Sequence, residues 1–255
     1  MVISHKHRYL FVEIPLTASW AIHSELCTHY DGSPILHKHA TYPEFRRHAS
    51  VDELKYFVFG TVRHPMDEVV SRYFKLLTDH KGVFSDPDRV QSLEADPYDR
   101  KKYDFVHSSD GDFEGFFLRY HRRPFGTLVD VDSDRYDVVM RYENLQHDFG
   151  ATLQRLGIRQ VRPVPVLNAT QAKRGDWTSY YTDAIRPRAQ RVFAPFMSKW
   201  GYHLPSGWPV YPVSYVNAIE FRIVCAIRTL YMSRFRYDNR LLAKAVRLLR
   251  ARLST

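Results

Sequence analysis

The sequence predicts an α/β fold of three layers, in which helices flank a central parallel sheet and a basic helical tail follows at the C-terminus. Three observations lead to this prediction. Apolar runs rich in β-branched and aromatic residues at 9–14, 57–62 and 138–140 are each followed by a helical pattern, an alternation typical of parallel sheets. The 255 residues are 44% hydrophobic, which is enough to bury one sizeable core. Basic residues are concentrated near the end of the chain.

The first strand–helix junction spans residues 9–29. The apolar run at 9–14 predicts a strand, a turn follows at Pro15, and a helical pattern continues to about His29. Such a junction points free backbone N–H groups and the positive end of a helix toward an anion. We therefore expect an anion-binding loop formed by Leu16, Thr17, Ala18, Ser19, Trp20, Ala21 and Ile22.

A second junction follows the strand predicted at 57–62. Arg63 stands at the end of this strand, and Pro65 fits the first position of a helix, where its missing N–H costs nothing. Ser71 lies about 9 Å further along that helix. A guanidinium at a strand end and a hydroxyl on the next helix can close on one phosphate through charge-assisted hydrogen bonds. Arg63 and Ser71 are therefore candidate phosphate ligands.

Both junctions resemble the nucleotide-binding motifs of sulfotransferases that use 3′-phosphoadenosine-5′-phosphosulfate (PAPS). The later junction resembles the motif Val-Arg-x-Pro-x-Asp-Arg followed by Ser and Tyr, and the earlier one the loop Pro-Lys-Thr-Ala-Gly/Ser-Thr-Ser of Golgi-type and bacterial carbohydrate sulfotransferases. The resemblance implies a P-loop-like fold with PAPS as co-substrate and no metal. It also implies that Arg63 and Ser71 hold the 3′-phosphate and that the loop of residues 16–22 holds the 5′-phosphosulfate. The residues that match the later motif are Val62, Arg63, Pro65, Asp67, Ser71 and Tyr73.

The resemblance is incomplete at the loop. Leu16 replaces the lysine that contacts the bridging oxygen and the transferring sulfuryl group in the family, and Trp20 and Ala21 replace residues that often supply hydroxyls. Glu68 also replaces an arginine in the later motif. Because lost positive charge raises the barrier to transfer, either another cation replaces the lysine or the activity is reduced or altered.

Two later segments also resemble the family. The strand predicted at 138–141 runs into a helix that carries Glu143, which either contacts ligand or caps and pairs within a structural corner. Lys173 and Arg174 precede a Gly-Asp-Trp sequence similar to the one that follows the 3′-phosphate clamp in cytosolic sulfotransferases. The resemblance implies that both cations contact the 3′-phosphate, and the alternative is a solvated basic loop.

The catalytic base is expected among the histidines. His37 and His39 follow a short apolar run where another strand can end, and alternating residues of a strand face the same way. This pair resembles the His-x-His of uronosyl sulfotransferases, which implies that one of the two takes the proton of the acceptor hydroxyl. An unperturbed histidine is largely neutral at physiological pH and suits this task. The alternatives are a merely polar pair and a role for Lys38 as the missing cation.

Charge is distributed unevenly along the chain. The net charge is +9, yet residues 222–252 contain nine basic side chains and only one acid. Within this segment, leucines and arginines occupy opposite faces of a helix predicted at 239–253. Such a helix either lies on an anionic membrane surface or docks on the rest of the protein through its leucines. No nucleic-acid motif accompanies the charge, so nucleic acid is not an expected partner.

The sequence divides into an α/β domain at 1–204, a Pro-rich linker at 205–213 and the basic helical tail at 214–255. Cys27 and Cys225 form no disulfide or zinc pattern, and no leader precedes the first strand, so we expect a cytoplasmic protein, peripheral to the inner face of a membrane if the tail binds lipid. The expected function is transfer of a sulfuryl group from PAPS to a hydroxyl of a carbohydrate or glycolipid. The alternative is a noncatalytic protein of the same fold that binds nucleotide or an anionic glycan.

Overall fold

The computed structural model describes residues 1–86, 97–167, 170, 172–173, 175–212 and 214–232. These residues form two compact units. The first comprises residues 1–64, 126–167 and 225–232, and the second comprises the other described residues between 65 and 224. The predicted boundaries at 204 and 213 stay predictions.

The first unit contains one mixed five-stranded sheet. Its strands are β1 Val2–Ser4, β2 Tyr9–Phe11, β3 Ser33–Pro34, β4 Phe57–Val62 and β5 Val138–Arg141, in the order β3-β1-β2-β4-β5. The strands β2, β4 and β5 run parallel, which confirms the α/β prediction for the centre of the sheet. β1 is antiparallel to both of its neighbours, and with β2 it forms a hairpin because the connection between these two strands is short.

The described residues contain eight α-helices, and most begin where the sequence supplies a start signal. Pro65 opens the helix after β4, as predicted, and the helix after the first loop ends at His29, also as predicted. The helices are α1 Ser19–His29, α2 Tyr42–His48, α3 Pro65–Leu77, α4 Pro97–Val106, α5 Phe113–Tyr120, α6 Leu145–Arg155, α7 Arg186–Trp200 and α8 Tyr215–Leu230.

The core of the first unit lies between the sheet and the helices α1 and α6. The apolar side chains of β2 and β4 are buried except for that of Phe57, which is partly buried at the start of β4, in keeping with strands that are covered on both faces. Ile22 and Leu26 of α1 and Phe149 and Leu153 of α6 pack in the same cluster. Tyr30 joins the two helices, because its ring contacts Phe149 and its hydroxyl accepts a hydrogen bond from the N–H of Val161. This packing fixes the strand ends that carry the candidate site.

The core of the second unit is aromatic. Tyr181 is fully buried and meets Phe113, Phe117 and Phe193 edge to face, with ring centroids 5.1, 5.5 and 6.1 Å away. Its hydroxyl donates to the carbonyl of Met66, which satisfies the one polar group at this buried position. Edge-to-face contacts of this kind orient the helices α3, α5 and α7 by geometry as well as by burial.

The segment predicted as a linker has no regular secondary structure over residues 205–212. It is nevertheless fastened to α7, because Gln190 donates to the carbonyl of Pro209 and accepts from the N–H of Tyr211. The ring of Trp208 lies 4.6 Å from the guanidinium of Arg186. Of the predicted tail, residues 214–232 are described, and the helix predicted at 239–253 lies outside the described residues. Within the described residues, no helix is long and apolar enough to cross a membrane.

Candidate active site

The candidate site lies at the carboxyl edge of the parallel strands in the first unit. β2 leads into residues 12–18, β4 into Arg63, and β5 into Tyr142. Because the carboxyl ends of parallel strands meet at one edge of a sheet, these three segments are neighbours. In open α/β sheets this edge is where ligands bind.

The loop between β2 and α1 has the backbone of an anion-binding nest. Leu16 and Ala18 adopt the left-handed conformation, with φ of 64° and 59°, which is strained for residues that carry a Cβ. No backbone N–H from Leu16 to Trp20 donates a hydrogen bond to any of the described residues. Successive free N–H groups in such a backbone form a concavity that attracts anions, and the start of α1 adds the positive end of a helix.

Buried hydrogen bonds hold this strained loop in place. The hydroxyl of Thr17 donates to the carbonyl of Ile14 at 2.8 Å and also meets the hydroxyl of Thr61 on β4. Thr17 is 1% exposed, so its side chain is structural and its backbone N–H is the group left to meet a ligand. The hydroxyl of Ser19 makes no hydrogen bond with the described residues. The loop residues Ala21 and Ile22 are buried against the core.

Arg63 connects the loop to the other strand ends. Its Nη1 donates to the carbonyl oxygen of Leu16 at 2.9 Å, and its guanidinium lies 4.1 Å from the centroid of the Tyr142 ring. Arg63 is only 6% exposed. Stacking and the carbonyl bond orient the guanidinium, a planar group of fixed charge that suits an anion such as phosphate.

Glu143 binds the backbone at the end of β4. Its Oε1 accepts a hydrogen bond of 2.6 Å from the backbone N–H of His64, directly after Arg63. The carboxylate of Asp148 similarly accepts from the N–H of Arg141. The segment after β5 is therefore hydrogen-bonded to the segment after β4 through Glu143. This bond agrees with the alternative in which Glu143 pairs within the protein.

Lys38 is a second cation near the loop of residues 16–22, in which Leu16 stands in place of the family lysine. Its Nζ lies 5.6 Å from the ring centroid of Trp20, whose indole stacks on His23 at 5.2 Å. The Nδ1 atom of His23 is 3.1 Å from the buried carboxylate of Glu13. Within the described residues, Lys38 has no carboxylate partner. Trp20 is 45% exposed, so its position beside Lys38 is at the surface of the loop.

The predicted strand placement of His37 and His39 is wrong. β3 ends at Pro34, residues 37–39 form a bend and turn, and His39 has φ of 61°, so the two side chains do not alternate as on a strand. Both ring nitrogens of His37 face acceptors, the carbonyl of Lys38 and the carboxylate of Glu44, each at 2.9 Å. Both ring nitrogens of His37 are therefore already in contact with groups of the protein.

His39 has the better geometry for a base. Its Nδ1 lies 2.9 Å from the carbonyl oxygen of Glu13, so Nδ1 carries the proton and donates, and Nε2 holds the lone pair. Burial lowers the pKa of His39, which keeps the imidazole neutral. The bond to Glu13 also places His39 next to the start of the anion-binding loop.

The second unit contains the remaining predicted ligands. Ser71 is fully buried on α3. Lys173 forms an ion pair with Asp67 of the same helix, and both side chains are largely buried. Arg174 lies outside the described residues. The contact between Lys173 and Asp67 gives the motif aspartate a partner that residue spacing did not indicate.

The second unit also has a basic cleft of about 580 Å³ that none of the predicted site residues lines. Arg188 donates to the carbonyl of Leu118, and the guanidinium of Arg119 lies 5.0 Å from the ring of Phe105. Three arginines in one cleft favour an anionic ligand. The lining residues are Phe105, Gly115, Leu118, Arg119, Arg122 and Arg188.

Sequence reasoning missed several residues that organise the site. Thr61 pins the loop, Tyr142 stacks on Arg63, and Glu13 anchors both His23 and His39. Tyr142 and Glu13 adjoin motif residues, which is the one signal that pointed to them. Within the described residues, no group of three His, Cys, Asp or Glu side chains is placed to hold a metal ion.

A parallel sheet whose strand ends carry an N–H-rich loop and a buried arginine is typical of α/β proteins that bind phosphorylated ligands. The model of the sulfotransferase family matches residues 1–196, and this chain belongs to that family. The match covers both junctions and the segments around Glu143 and Lys173. Comparison with curated proteins and with solved structures gives no match. Family membership supports sulfuryl transfer as the general activity.

Proposed function

We propose that this protein transfers a sulfuryl group from PAPS to a hydroxyl of a carbohydrate or glycolipid. The observation that carries the proposal is the loop of residues 16–20, whose left-handed backbone leaves five consecutive N–H groups without a partner in the described residues. An uncompensated row of donors beside a helix start suits a phosphosulfate group. When bound, PAPS supplies the activated sulfuryl group.

The chain's own residues divide the work of binding. The N–H groups of the loop and Ser19 hold the 5′ side of the nucleotide, and Arg63 holds the 3′-phosphate. The family resemblance also implies that Ser71, Lys173 and Arg174 contact the 3′-phosphate. Arg63 supports this assignment because it is buried and oriented by two contacts before any ligand arrives. Preorganised donors of this kind stabilise developing charge without further rearrangement.

Proton removal from the acceptor falls to Nε2 of His39. A neutral imidazole whose Nδ1 proton is committed to a carbonyl presents its lone pair at Nε2. Lys38 supplies the positive charge that Leu16 lacks, because its ammonium lies at the same loop, beside Trp20. No metal is needed for either step. In this proposal the protein acts in the cytoplasm, peripheral to the inner face of a membrane if its tail binds lipid, and nucleic acid is not a partner.

A second candidate function is binding without catalysis. Leu16 in place of the family lysine favours it, and the cleft with three arginines suits an anionic glycan. In that case the nucleotide or glycan binds, and no sulfuryl transfer follows.

Calorimetry with 3′,5′-bisphosphoadenosine, AMP and ATP separates these possibilities from unrelated nucleotide binding. The proposal expects the bisphosphate to bind much more tightly than AMP, since the 3′-phosphate meets Arg63. Equal affinities for the bisphosphate and AMP contradict it. Tight bisphosphate binding with no sulfate transfer to any hydroxyl acceptor supports the noncatalytic candidate.

A further inference from the structure

The helix α8 exposes its apolar residues. Six large apolar side chains of this 16-residue helix are between 45 and 78% exposed. At 3.6 residues per turn they lie within an arc of about 120° along the whole helix. We call this arc the α8 face; it consists of Tyr215, Val216, Ile219, Ile223, Ile227 and Leu230.

The opposite side of α8 is more polar than its solvent side. The Nη1 of Arg228 donates to the carbonyl of Thr127 at 3.2 Å, and the amide nitrogen of Asn217 is buried with no hydrogen bond to the described residues. Phe221 is the one buried apolar side chain of the helix. A helix of a water-facing protein normally shows the reverse pattern, with polar residues outward. The large apolar side chains on the α8 face are therefore left without cover by the described residues.

Charge near the α8 face indicates what covers it. Arg222 is exposed at one edge of the arc and Glu220 is half-buried at the other, so the basic charge comes from the residues that follow the helix. The sequence after the described residues, 233–255, contains seven arginines and lysines and one aspartate. We propose that α8 lies in the interface of an anionic lipid bilayer, with the α8 face among the acyl chains and the arginines at the headgroups. This surface is independent of the nucleotide site and does not rest on the proposed activity.

The size and charge of the surface argue against a second copy of the chain. α8 is about 24 Å long, and one face of it is smaller than the roughly 800 Å² per partner of a stable interface. Each copy would also bring the strongly basic segment of its partner nearby, which opposes association at low salt. A bilayer has neither restriction, and no described helix is suited to cross one.

Co-sedimentation of the full chain with vesicles tests the proposal. Vesicles of phosphatidylcholine mixed with phosphatidylglycerol are compared with vesicles of phosphatidylcholine alone, at low and high salt. We expect binding to the anionic vesicles that weakens with salt. The double variant Ile223→Ser, Ile227→Ser should bind about tenfold or more weakly, because it removes two apolar side chains from the face. Unchanged binding of this variant overturns the proposal.

A matched control makes the same chemical change elsewhere. Val161 and Val166 are 62 and 86% exposed and lie outside α8, so Val161→Ser, Val166→Ser should leave vesicle binding unchanged. An equal loss in both double variants overturns the proposal, and so does a lack of vesicle binding by the wild type. Arg222→Glu, which leaves the apolar face intact, should weaken binding to anionic vesicles only, and it serves if the isoleucine variant does not fold.

Light scattering and truncation test the other occupants. A wild type that is dimeric and becomes monomeric in Ile223→Ser, Ile227→Ser shows that a second copy covers the face and overturns the proposal. Deletion of residues 233–255 that increases vesicle binding shows that this segment covers the face in the full chain, which also overturns it. Weaker binding after the deletion agrees with the proposal, because the basic segment then contributes its charge.

Discussion

The Nη1 of Arg63 donates a hydrogen bond of 2.9 Å to the carbonyl oxygen of Leu16. The end of β4 thereby holds the strained turn that follows β2, although the two residues are far apart in sequence. Leu16 has a left-handed backbone and stands where the family has lysine. The residue that departs from the family motif is therefore held in place by Arg63, a residue that matches the family. Arg63 thus shapes the loop, and in the proposed function it also supplies charge to the 3′-phosphate.

The variant Arg63→Ala should lose most of the preference for 3′,5′-bisphosphoadenosine over AMP, since one charge-assisted hydrogen bond contributes about 1.5–3 kcal/mol. It should also lower the melting temperature, because the carbonyl of Leu16 and the ring of Tyr142 lose their partner. Calorimetry with both nucleotides measures the first effect. Ser71→Ala removes the other predicted ligand of the 3′-phosphate, on α3, and is compared with Arg63→Ala in the same calorimetry. Retention of the full preference in Arg63→Ala would falsify the phosphate assignment.

The variant His39→Gln should reduce sulfuryl turnover by about 10²–10⁴-fold, the usual contribution of a general base. Glutamine can still donate to the carbonyl of Glu13, so the fold and bisphosphate affinity should be retained. His37→Gln is the control and should have little effect, because both nitrogens of His37 already face acceptors. Equal losses in the two variants would exclude His39 as the specific base.

The pH dependence of the reaction gives a second test of His39. Burial lowers the pKa of His39, so its lone pair stays available below the ordinary histidine pKa of about 6.5. The rate should therefore hold steady as the pH falls to that value and decline only at lower pH. An acid limb centred above it contradicts the assignment.

Leu16→Lys should raise turnover, because a lysine at this position places positive charge at the bridging oxygen. Leu16→Met has nearly the same size without the charge and is the matched control. Lys38→Ala should lower turnover if Lys38 is the substituting cation, and Leu16→Lys should restore it in the double variant. Turnover that falls on adding Lys at position 16 shows instead that Leu16 belongs to a reorganised site.

Stability should fall in acid because of His121. Burial lowers the pKa of His121 to about 3, with Lys102 and Arg72 adding to the effect, and its Nε2 is buried without a partner in the described residues. The unfolded state, with a pKa of about 6.5, binds the proton first, so stability present above that pH is lost as the pH falls toward the folded value. The cost reaches about 2 kcal/mol near pH 5.

Replacement of His121 by Phe tests this linkage. Its ring already stacks on Phe117 with centroids 5.4 Å apart, so Phe should fit the site. The difference in the free energy of unfolding between neutral and acidic pH should shrink by roughly the 2 kcal/mol above. His48→Phe changes an exposed histidine and should leave that difference as it is. An unchanged pH dependence in His121→Phe excludes His121 as its source.

Deletion of residues 239–255 should release the protein from anionic vesicles in part while leaving bisphosphate binding intact. In the proposal, the leucines and arginines of this segment add to the membrane binding of the α8 face. Salt should weaken the contribution of the arginines. Leu248→Ser, Leu249→Ser distinguishes docking of the tail on the protein, which predicts a lower melting temperature with unchanged co-sedimentation. That outcome would exclude a membrane role for residues 239–255 and would leave the proposal for the α8 face unaffected.

Local patterns in the sequence determined the α/β fold and the places where ligands approach it. The apolar run at 57–62, Arg63 and Pro65 each carry their signal in adjacent residues, so strand, strand end and helix start were predictable one after another. The loop of residues 16–22 was predictable for the same reason. Family membership follows from these segments, because they are continuous in the chain.

Tertiary structure alone decided which atoms of those segments are available for chemistry. The left-handed Leu16, the Nδ1 proton of His39, the pairing of Lys173 with Asp67 and the bond from His64 to Glu143 depend on partners distant in sequence. The pattern of α8 also shows apolar periodicity without telling which face is buried. Hydrogen-bond partners and burial are properties of the packed chain, and a local pattern does not contain them.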